Sequence, residues 1–372
     1  MENKTVLLLG GTGTLSTAVL LRAKLKGYKI TIMNRGSNNR KVPADVDVVI
    51  GNFKNATDMQ SKFANRKFDV VVDFLSRVPA DIERVYPIFK DICQQYIFIS
   101  SACVYQRADE DFPIKESSPK PNKDWSYNIE KYESELKLQE LAKGSTSYYT
   151  IVRPYITYNE ERIPLGITPV YKNHRTIIER IRAGKPWFVW DDGKAITTVT
   201  FTKDFAVGVV GLFLNPKAKN EDFHVTSNFT YTQKEVAEKL FQKLNIRSNI
   251  VSLPTSVIAK KMPEYRGMLI GDRSLNAVFD NNKIRDAVPE LEFNTSLDDG
   301  LDAILAYWDN LGTYDYDYIF DAKIDKLLRS YGAKCRYIKY PNADSKSKIM
   351  YFIYTHFSNR VALKMAKLLN KI

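Results

Sequence analysis

Ser101, Tyr127 and Lys131 are the residues of this 372-residue chain whose types and spacing point most directly to chemistry. Ser101 follows the apolar run YIFIS and lies in SSACVY; Tyr127 comes 26 residues later and Lys131 four after that. Tyr and Lys four apart share one helix face. An ammonium held near a phenol favours the phenolate and lowers its pKa. Such a phenol can take a proton from a carbinol hydroxyl and return it in the reverse step. The Ser101 hydroxyl would hydrogen-bond the same oxygen. Tyr86 and Lys90 repeat the Tyr-x-x-x-Lys spacing, and among 22 tyrosines one coincidence is expected, so position decides. Tyr86 is expected to start the helix before the fifth strand, with no serine-bearing strand end upstream. Tyr127 follows Ser101 and opens the next helix, at the carboxyl edge of a sheet, where ligands bind in open α/β folds.

A second constellation is rich in glycine. The run TVLLL meets Gly10-Gly11-Thr12-Gly13-Thr14-Leu15-Ser16. Glycine at 10 permits a tight turn, and glycine at 13 lets backbone approach a pyrophosphate with no Cβ in the way. The amides of Thr12, Gly13, Thr14 and Leu15, opening the following helix, would then face the phosphates. A strand before and a helix after are the context this pattern requires. No Gly-Lys-Ser/Thr follows, which excludes a nucleoside-triphosphate P-loop. Ser16 stands where a third glycine is usual. At the end of the second strand, Asn34-Arg35 offers no carboxylate to a ribose 2′-hydroxyl. An arginine suits a 2′-phosphate, so NADP is favoured over NAD. Asn52, after the third strand, is expected to hydrogen-bond adenine.

The elements that must position these residues follow from apolar patterning. Thr5–Leu9, Lys29–Met33, Val46–Ile50, Asp69–Phe74, Tyr96–Ser100 and Ser147–Val152 read as buried strands. Helices are expected at Leu15–Lys26, Asp58–Ala64, Ala80–Gln94 and Ser126–Leu141. Strands spaced by helices imply a parallel sheet covered on both faces, wound right-handedly: an α/β, Rossmann-like doubly wound fold. Beyond Pro154 the pattern loosens, with short strands near Trp187–Trp190 and Phe223–Thr226 and helices near Thr176–Ala183, Thr202–Leu214 and Thr232–Leu244. The expected division is a dinucleotide-binding domain (1–158), a smaller mixed α/β substrate-binding region (159–310) with elements returning to the sheet, and a basic C-terminal extension (311–372).

Composition bounds the alternatives. Hydrophobic residues make up 44% of the chain and charged residues 26%, which suits a globular protein rather than a disordered one. No apolar run approaches the roughly 20 residues of a membrane helix, and the N-terminal run is too short for a signal peptide. Three scattered cysteines and three distant histidines make neither a disulfide framework nor a metal site, so no metal is expected and a reduced cytoplasmic protein is. The net charge is +12, of which residues 311–372 carry +7 from 12 Lys/Arg and 5 Asp. Phe357–Ile372 reads as an amphipathic helix, with Val361, Met365, Leu368 and Ile372 opposite Lys364, Lys367 and Lys371, expected to dock on the chain's own core or a second subunit.

Gly10-Gly11-Thr12-Gly13, Ser101 in SSACVY, Tyr127 with Lys131, and the VRP ending the sixth strand together resemble the extended short-chain dehydrogenase/reductases. The nearer likeness is to the nucleotide-sugar epimerase/dehydratase group. It covers about residues 4–310, with softer support from VTFTKDFA, HVTSNFTYTQKEV and GDRSLNAVFDNNKI. The resemblance implies an NAD(P)-bound enzyme acting on a nucleoside-diphosphate sugar, with catalytic roles on Ser101, Tyr127 and Lys131. It also implies a homodimer formed through two long helices, one starting near Tyr127. Tyr155, after Arg153-Pro154, is expected to border the nicotinamide, and Arg266 to contact the substrate diphosphate. Departures are Ser16, Glu130 before the lysine, the bulky Asp73-Phe74-Leu75-Ser76 segment, and residues 311–372, which match no part of the family.

Sugar 4,6-dehydratases of this family carry an Asp-Glu pair where this chain has Ala102-Cys103, and Asp109 and Glu110 stand at the wrong place. Epimerisation and ketone reduction remain open. A competing reading is a catalytically inactive dinucleotide-fold protein that binds RNA or a partner through its basic tail, where Tyr337, Tyr340, Tyr351 and Phe352 would stack bases. No RNA-recognition signature is present. A third is attachment of the tail to a membrane surface.

Overall fold

The computed structural model describes residues 4–39, 42–107, 112–341 and 343–369. Asp109 and Glu110, and Lys371 and Ile372 of the tail helix, lie outside them. The chain forms two compact units. One comprises Met1–Tyr158, Thr198–Thr230 and Leu275–Ser296; the other comprises Asn159–Thr197, Tyr231–Ser274 and Leu297–Ile372.

The first unit is built on β1 (Thr5–Leu9), β2 (Lys29–Asn34), β3 (Asp47–Ile50), β4 (Phe68–Asp73), β5 (Cys93–Ile99), β6 (Tyr148–Pro154) and β7 (Glu221–Val225). They form one sheet in the order β7-β6-β5-β4-β1-β2-β3, every neighbouring pair parallel. Successive strand residues point to opposite faces. Val6, Leu8 and Val72 accordingly pack with Val19, Leu20 and Ala23 of α1 (Thr14–Leu25) and with the helix Thr202–Gly211. Leu7, Leu9 and Val71 pack on the other face with α2 (Ala56–Phe63), α3 (Pro79–Phe89) and α4 (Ser126–Leu141). Each such aliphatic side chain, fully buried, contributes about 1.5–3 kcal/mol.

The strand order turns back at the β1–β4 pair, the switch point where open α/β sheets bind ligands. The register aligns the strand ends there: Leu9 lies opposite both Met33 and Asp73, and Asp73 opposite Phe98. Gly10, Asn34, Phe74 and the segment after Ile99 therefore share one edge.

One expected helix is too long. α3 ends at Phe89, not Gln94, and β5 begins at Cys93. Tyr86 thus lies near the end of α3 rather than at its start. It is fully buried, its hydroxyl 3.2 Å from Ser147 Oγ and its ring edge-on to Tyr96 at 5.1 Å. The second Tyr-x-x-x-Lys match is a packing residue.

The second unit contains the parallel pair Trp187–Trp190 and Ile250–Leu253. It also holds α5 (Arg175–Arg182), α6 (Tyr318–Arg329), α7 (Ser345–His356) and α8 (Asn359–Leu369). Residues 311–372 are integral to this unit. Buried Arg180 donates to Asp321 and Asp325 of α6, and buried Lys185 reaches the same two carboxylates at 2.6 and 2.7 Å. Two cations facing two anions leave no buried charge uncompensated, the condition for tolerating such a cluster. The tail tyrosines are largely consumed by packing. Tyr340 and Tyr351 are buried, and Tyr337 stacks on Tyr318 at 5.5 Å. Phe352, the fourth residue expected to stack bases, is exposed.

α8 does not use the whole of its expected apolar face to pack on its own chain. Its buried residues are Ala362 and Ala366, while Val361 and Leu368 of the expected docking face are exposed. Among the described residues no helix is long and apolar enough to cross a membrane.

Candidate active site

The turn after β1 is shaped by its glycines. Gly10 has φ +91°, and a Cβ there would lie 2.6 Å from Leu75 Cδ2. Gly13 caps α1 in an extended conformation, and a Cβ there would meet only Ser16 Oγ, at 3.4 Å. Gly10 is thus spent on internal packing, and Gly13 leaves an open side. Ser16, buried in place of the third glycine, accepts a hydrogen bond from the Gly13 N–H at 2.8 Å. The first-turn amides of a helix have no acceptor within it, so those of Thr14 and Leu15 remain oriented for an anion. An open cradle beside these amides, at the switch point, fits the pyrophosphate of a dinucleotide.

Around this turn, Arg35 is exposed just beyond β2. Asn34 is bound into the next turn: its Oδ1 accepts from the Gly36 N–H at 2.7 Å and its Nδ2 donates to Asn39 at 2.8 Å. The Asn52 Oδ1 likewise accepts from the Lys54 N–H, at 3.1 Å.

Lys131 is buried on α4. Its Nζ donates to the carbonyls of Ser76 at 2.7 Å and Ile99 at 3.0 Å, and lies 4.7 Å from the Phe98 ring centroid. Burial pushes its pKa down to about 8. The Ser76 carbonyl is itself positioned by buried Asp73, which accepts from the amides of Leu75 (2.8 Å) and Ser76 (3.0 Å), the Ser76 hydroxyl, and Tyr96 OH at 2.7 Å. Tyr127 stands one turn before Lys131, half-buried, packed on Trp125 at 4.7 Å with the Arg77 guanidinium 5.7 Å from its ring centroid. Ser101 is buried two residues past Ile99, and its Oγ accepts from the Cys103 N–H at 3.3 Å.

A second buried network holds α4 against β5 and β6. Glu135 receives two hydrogen bonds from Arg153, at 2.9 and 2.7 Å, and one from Ser100 Oγ. Arg153 also donates to Tyr105 OH at 2.7 Å and pairs with Asp222. Tyr105 in turn contacts His224, which burial keeps neutral by lowering its pKa to about 4. Asp73 and Glu135 went unremarked as site residues in the sequence. Their signals were an acid ending an apolar strand and a glutamate one helical turn after Lys131.

Tyr155 is buried with Phe279 at 5.1 Å, its hydroxyl accepting from Arg107 at 3.2 Å, within a cluster that includes Ala102, Cys103 and Tyr105. Arg266 belongs to the second unit, exposed at the start of the short helix Arg266–Met268. Among the described residues no three His, Cys, Asp or Glu side chains converge as metal ligands.

Residues 6–226 match the family described as "NAD dependent epimerase/dehydratase family". Chloroplast stem-loop binding protein of 41 kDa b from Arabidopsis thaliana is 25% identical over 241 residues, 60% of this chain and 59% of that protein. UDP-glucose 4-epimerase 3 from Oryza sativa subsp. japonica is 23% identical over 143 residues, 30% of this chain and 38% of that protein. The chain thus spans less than two thirds of the length of the curated relatives it matches. Epimerase Mth375 from Methanothermobacter thermautotrophicus has the same fold, with a TM-score of 0.69 at 16% identity over 82% of this chain and 94% of that one. UDP-glucuronic acid 4-epimerase from Bacillus cereus gives 0.67 at 16% identity, over 82% and 99%.

Proposed function

The chain belongs to the NAD dependent epimerase/dehydratase family, and from that membership we propose that it epimerises a nucleoside-diphosphate sugar at a carbinol carbon. The observation that carries the proposal is the anchoring of Lys131 to Ile99 and Ser76, which ties the Tyr127 helix to the strand end bearing Ser101. Tyr127 takes the hydroxyl proton of the substrate and returns it after the carbon has been inverted. Ser101 hydrogen-bonds the reacting oxygen, and Lys131 keeps positive charge beneath the phenol. The bound dinucleotide supplies the hydride acceptor and donor. Thr12, Gly13, Thr14 and Leu15 hold its pyrophosphate, Gly13 by close approach and the others by their amides. Dehydration is disfavoured because Ala102 and Cys103 are buried and carry no carboxylate.

The expectation of NADP rests on Arg35. The family's description names NAD, and the Bacillus cereus and Bifidobacterium longum epimerase structures contain it, so NAD is the cofactor of this proposal. UDP-sugars are the substrate class to try first, since the Bacillus cereus structure holds UDP-glucuronic acid and the Bifidobacterium longum structure holds UDP.

The test is incubation with NAD and UDP-glucose or UDP-glucuronic acid, followed by proton NMR of the sugar. Inversion at one carbon with no net cofactor consumption supports epimerisation. Stoichiometric reduction of NAD to NADH, with a keto sugar left as product, overturns it in favour of a net oxidoreductase, the reverse direction of ketone reduction. The RNA reading is favoured by the name of the Arabidopsis relative. Salt-sensitive RNA binding without sugar conversion would support it instead.

A further inference from the structure

The second unit carries a face that the proposed reaction does not use. Thirteen large hydrophobic side chains are exposed among the described residues, and six of them lie within 349–368: Ile349, Phe352, Phe357, Val361, Leu363 and Leu368. Residues 345–369 also hold five Lys/Arg and no Asp or Glu. All five cations, Lys346, Lys348, Arg360, Lys364 and Lys367, are exposed.

The two helices order these groups oppositely: the apolar stripe is central on α7, and the cations are central on α8. On α7, Met350, Tyr351, Ile353 and Tyr354 turn inward, leaving Ser345, Ile349, Phe352 and His356 as an outward stripe. Phe352 stacks on His356 at 4.3 Å and meets Phe357 edge-on at 6.4 Å, which carries the apolar stripe into the α7–α8 junction. On α8, Ala362 and Ala366 face the core. At about 100° per residue, Arg360, Lys364 and Lys367 fall at the centre of the outward face. Val361 and Leu368 flank them on one side and Leu363 on the other.

Apolar side chains grouped like this mark an interaction surface. The cations select its occupant. A second copy of the face would bring five more like charges into an interface with no acid to meet them. Nucleic acid would satisfy the charges but leave the aliphatic Ile349, Val361, Leu363 and Leu368 against water. A surface that is both polyanionic and apolar just beneath satisfies both sets. We infer that α7 and α8 dock on the surface of an anionic lipid bilayer. The aliphatic and aromatic side chains enter the headgroup boundary, and the Lys/Arg side chains meet lipid phosphates and carboxylates.

The test is co-sedimentation of the full chain with phosphatidylcholine vesicles, with and without phosphatidylserine. Two exposed-residue double variants accompany it, Leu363→Gln/Leu368→Gln and Lys364→Gln/Lys367→Gln, each checked by thermal melting against the unaltered chain. The expected result is sedimentation with the anionic vesicles only, weakened by salt. The charge variant should lose roughly 30-fold in partition, at about fivefold per Lys/Arg, and the apolar variant should lose at least about tenfold. Equal sedimentation with both vesicle types, or none with either, overturns the inference. So does RNA binding through Lys364 and Lys367 in the absence of vesicle binding. A dimer that the apolar variant converts to monomer would identify a second copy as the occupant and overturn it as well.

Discussion

Lys131 Nζ donates to the main-chain oxygen of Ile99 at 3.0 Å, joining the second turn of α4 to the end of β5, two residues before Ser101. The bond acts together with the Ser100–Glu135 and Arg153–Glu135 hydrogen bonds, one helical turn further along, which also hold α4 against the ends of β5 and β6. A buried ammonium must find acceptors, and the two it finds, on Ile99 and Ser76, fix where Tyr127 stands along the strand end. Asp73 extends the chain of positioning by ordering the turn that presents the Ser76 carbonyl.

The first prediction concerns the phenol. Tyr127→Phe is expected to retain dinucleotide binding and lose about 10²–10⁴-fold in turnover, the range for a positioned proton-transfer group. Tyr86→Phe is the control. It removes a buried hydroxyl beside Ser147 and should cost about 1 kcal/mol in urea denaturation while leaving turnover unchanged. Unchanged turnover in Tyr127→Phe would reject the assignment.

Much of the nucleotide-binding half was readable in the sequence, because β-branched runs and glycine punctuation there act locally. The expected Ser126–Leu141 helix and Thr5–Leu9 strand match the observed bounds. The end of α3 was not readable: Ile88, Phe89, Ile92 and Cys93 continue an apolar pattern across the break, and only pairing of Cys93 with Phe68 of β4 turns that stretch into strand. The face by which α8 packs on its own chain was not readable because periodicity favours large apolar residues, whereas that face uses the small Ala362 and Ala366. The ion networks join residues too distant for any sequence pattern, Arg180 with Asp321 and Asp325 above all.

Charge at Lys131 makes stability depend on pH. Its folded pKa, pushed down to about 8 by burial, lies below the roughly 10.4 of an unfolded lysine. Below about 8 both states hold the proton and the full burial cost is present. Between about 8 and about 10.4 the unfolded chain binds more protons, so stability rises with pH, by on the order of 3 kcal/mol in total. Lys131→Met lacks this contribution. Urea denaturation at increasing pH should show the unaltered chain gaining on the variant through that window; a constant difference would mean that Lys131 does not titrate there.

The Glu135–Arg153 pair should behave as a buried ion pair. Glu135→Leu leaves Arg153 with Asp222 as its remaining carboxylate and is expected to cost about 3–5 kcal/mol, with the adjoining double variant Glu135→Leu/Arg153→Met costing less than the sum of the singles. Additive losses in a denaturation cycle would show that the two side chains do not depend on each other.

Dinucleotide choice can be read at Arg35. An exposed arginine beyond β2 can accept a 2′-phosphate, whereas a carboxylate there would accept hydrogen bonds from a ribose 2′-hydroxyl. Arg35→Asp should raise the preference for NAD over NADP by about tenfold or more, the equivalent of one charge-assisted hydrogen bond. Fluorescence titration of both dinucleotides measures it, and an unaltered ratio would remove Arg35 from the site.

The two outer glycines of the turn should separate folding from binding. Gly10 has a positive φ, and any Cβ there collides with Leu75, so Gly10→Ala is expected to destabilise the fold by at least about 1–3 kcal/mol. Gly13 has an ordinary extended backbone with Ser16 Oγ as its sole near neighbour, so Gly13→Ala should fold within about 1 kcal/mol of the unaltered chain, close to the usual cost of alanine at a helix N-cap. The new methyl group nonetheless occupies the side from which the pyrophosphate must approach. NAD affinity should therefore fall by about tenfold or more, a loss of roughly 1.4 kcal/mol. A well-folded Gly13→Ala that binds NAD as tightly as the unaltered chain would show that the phosphates do not meet this turn.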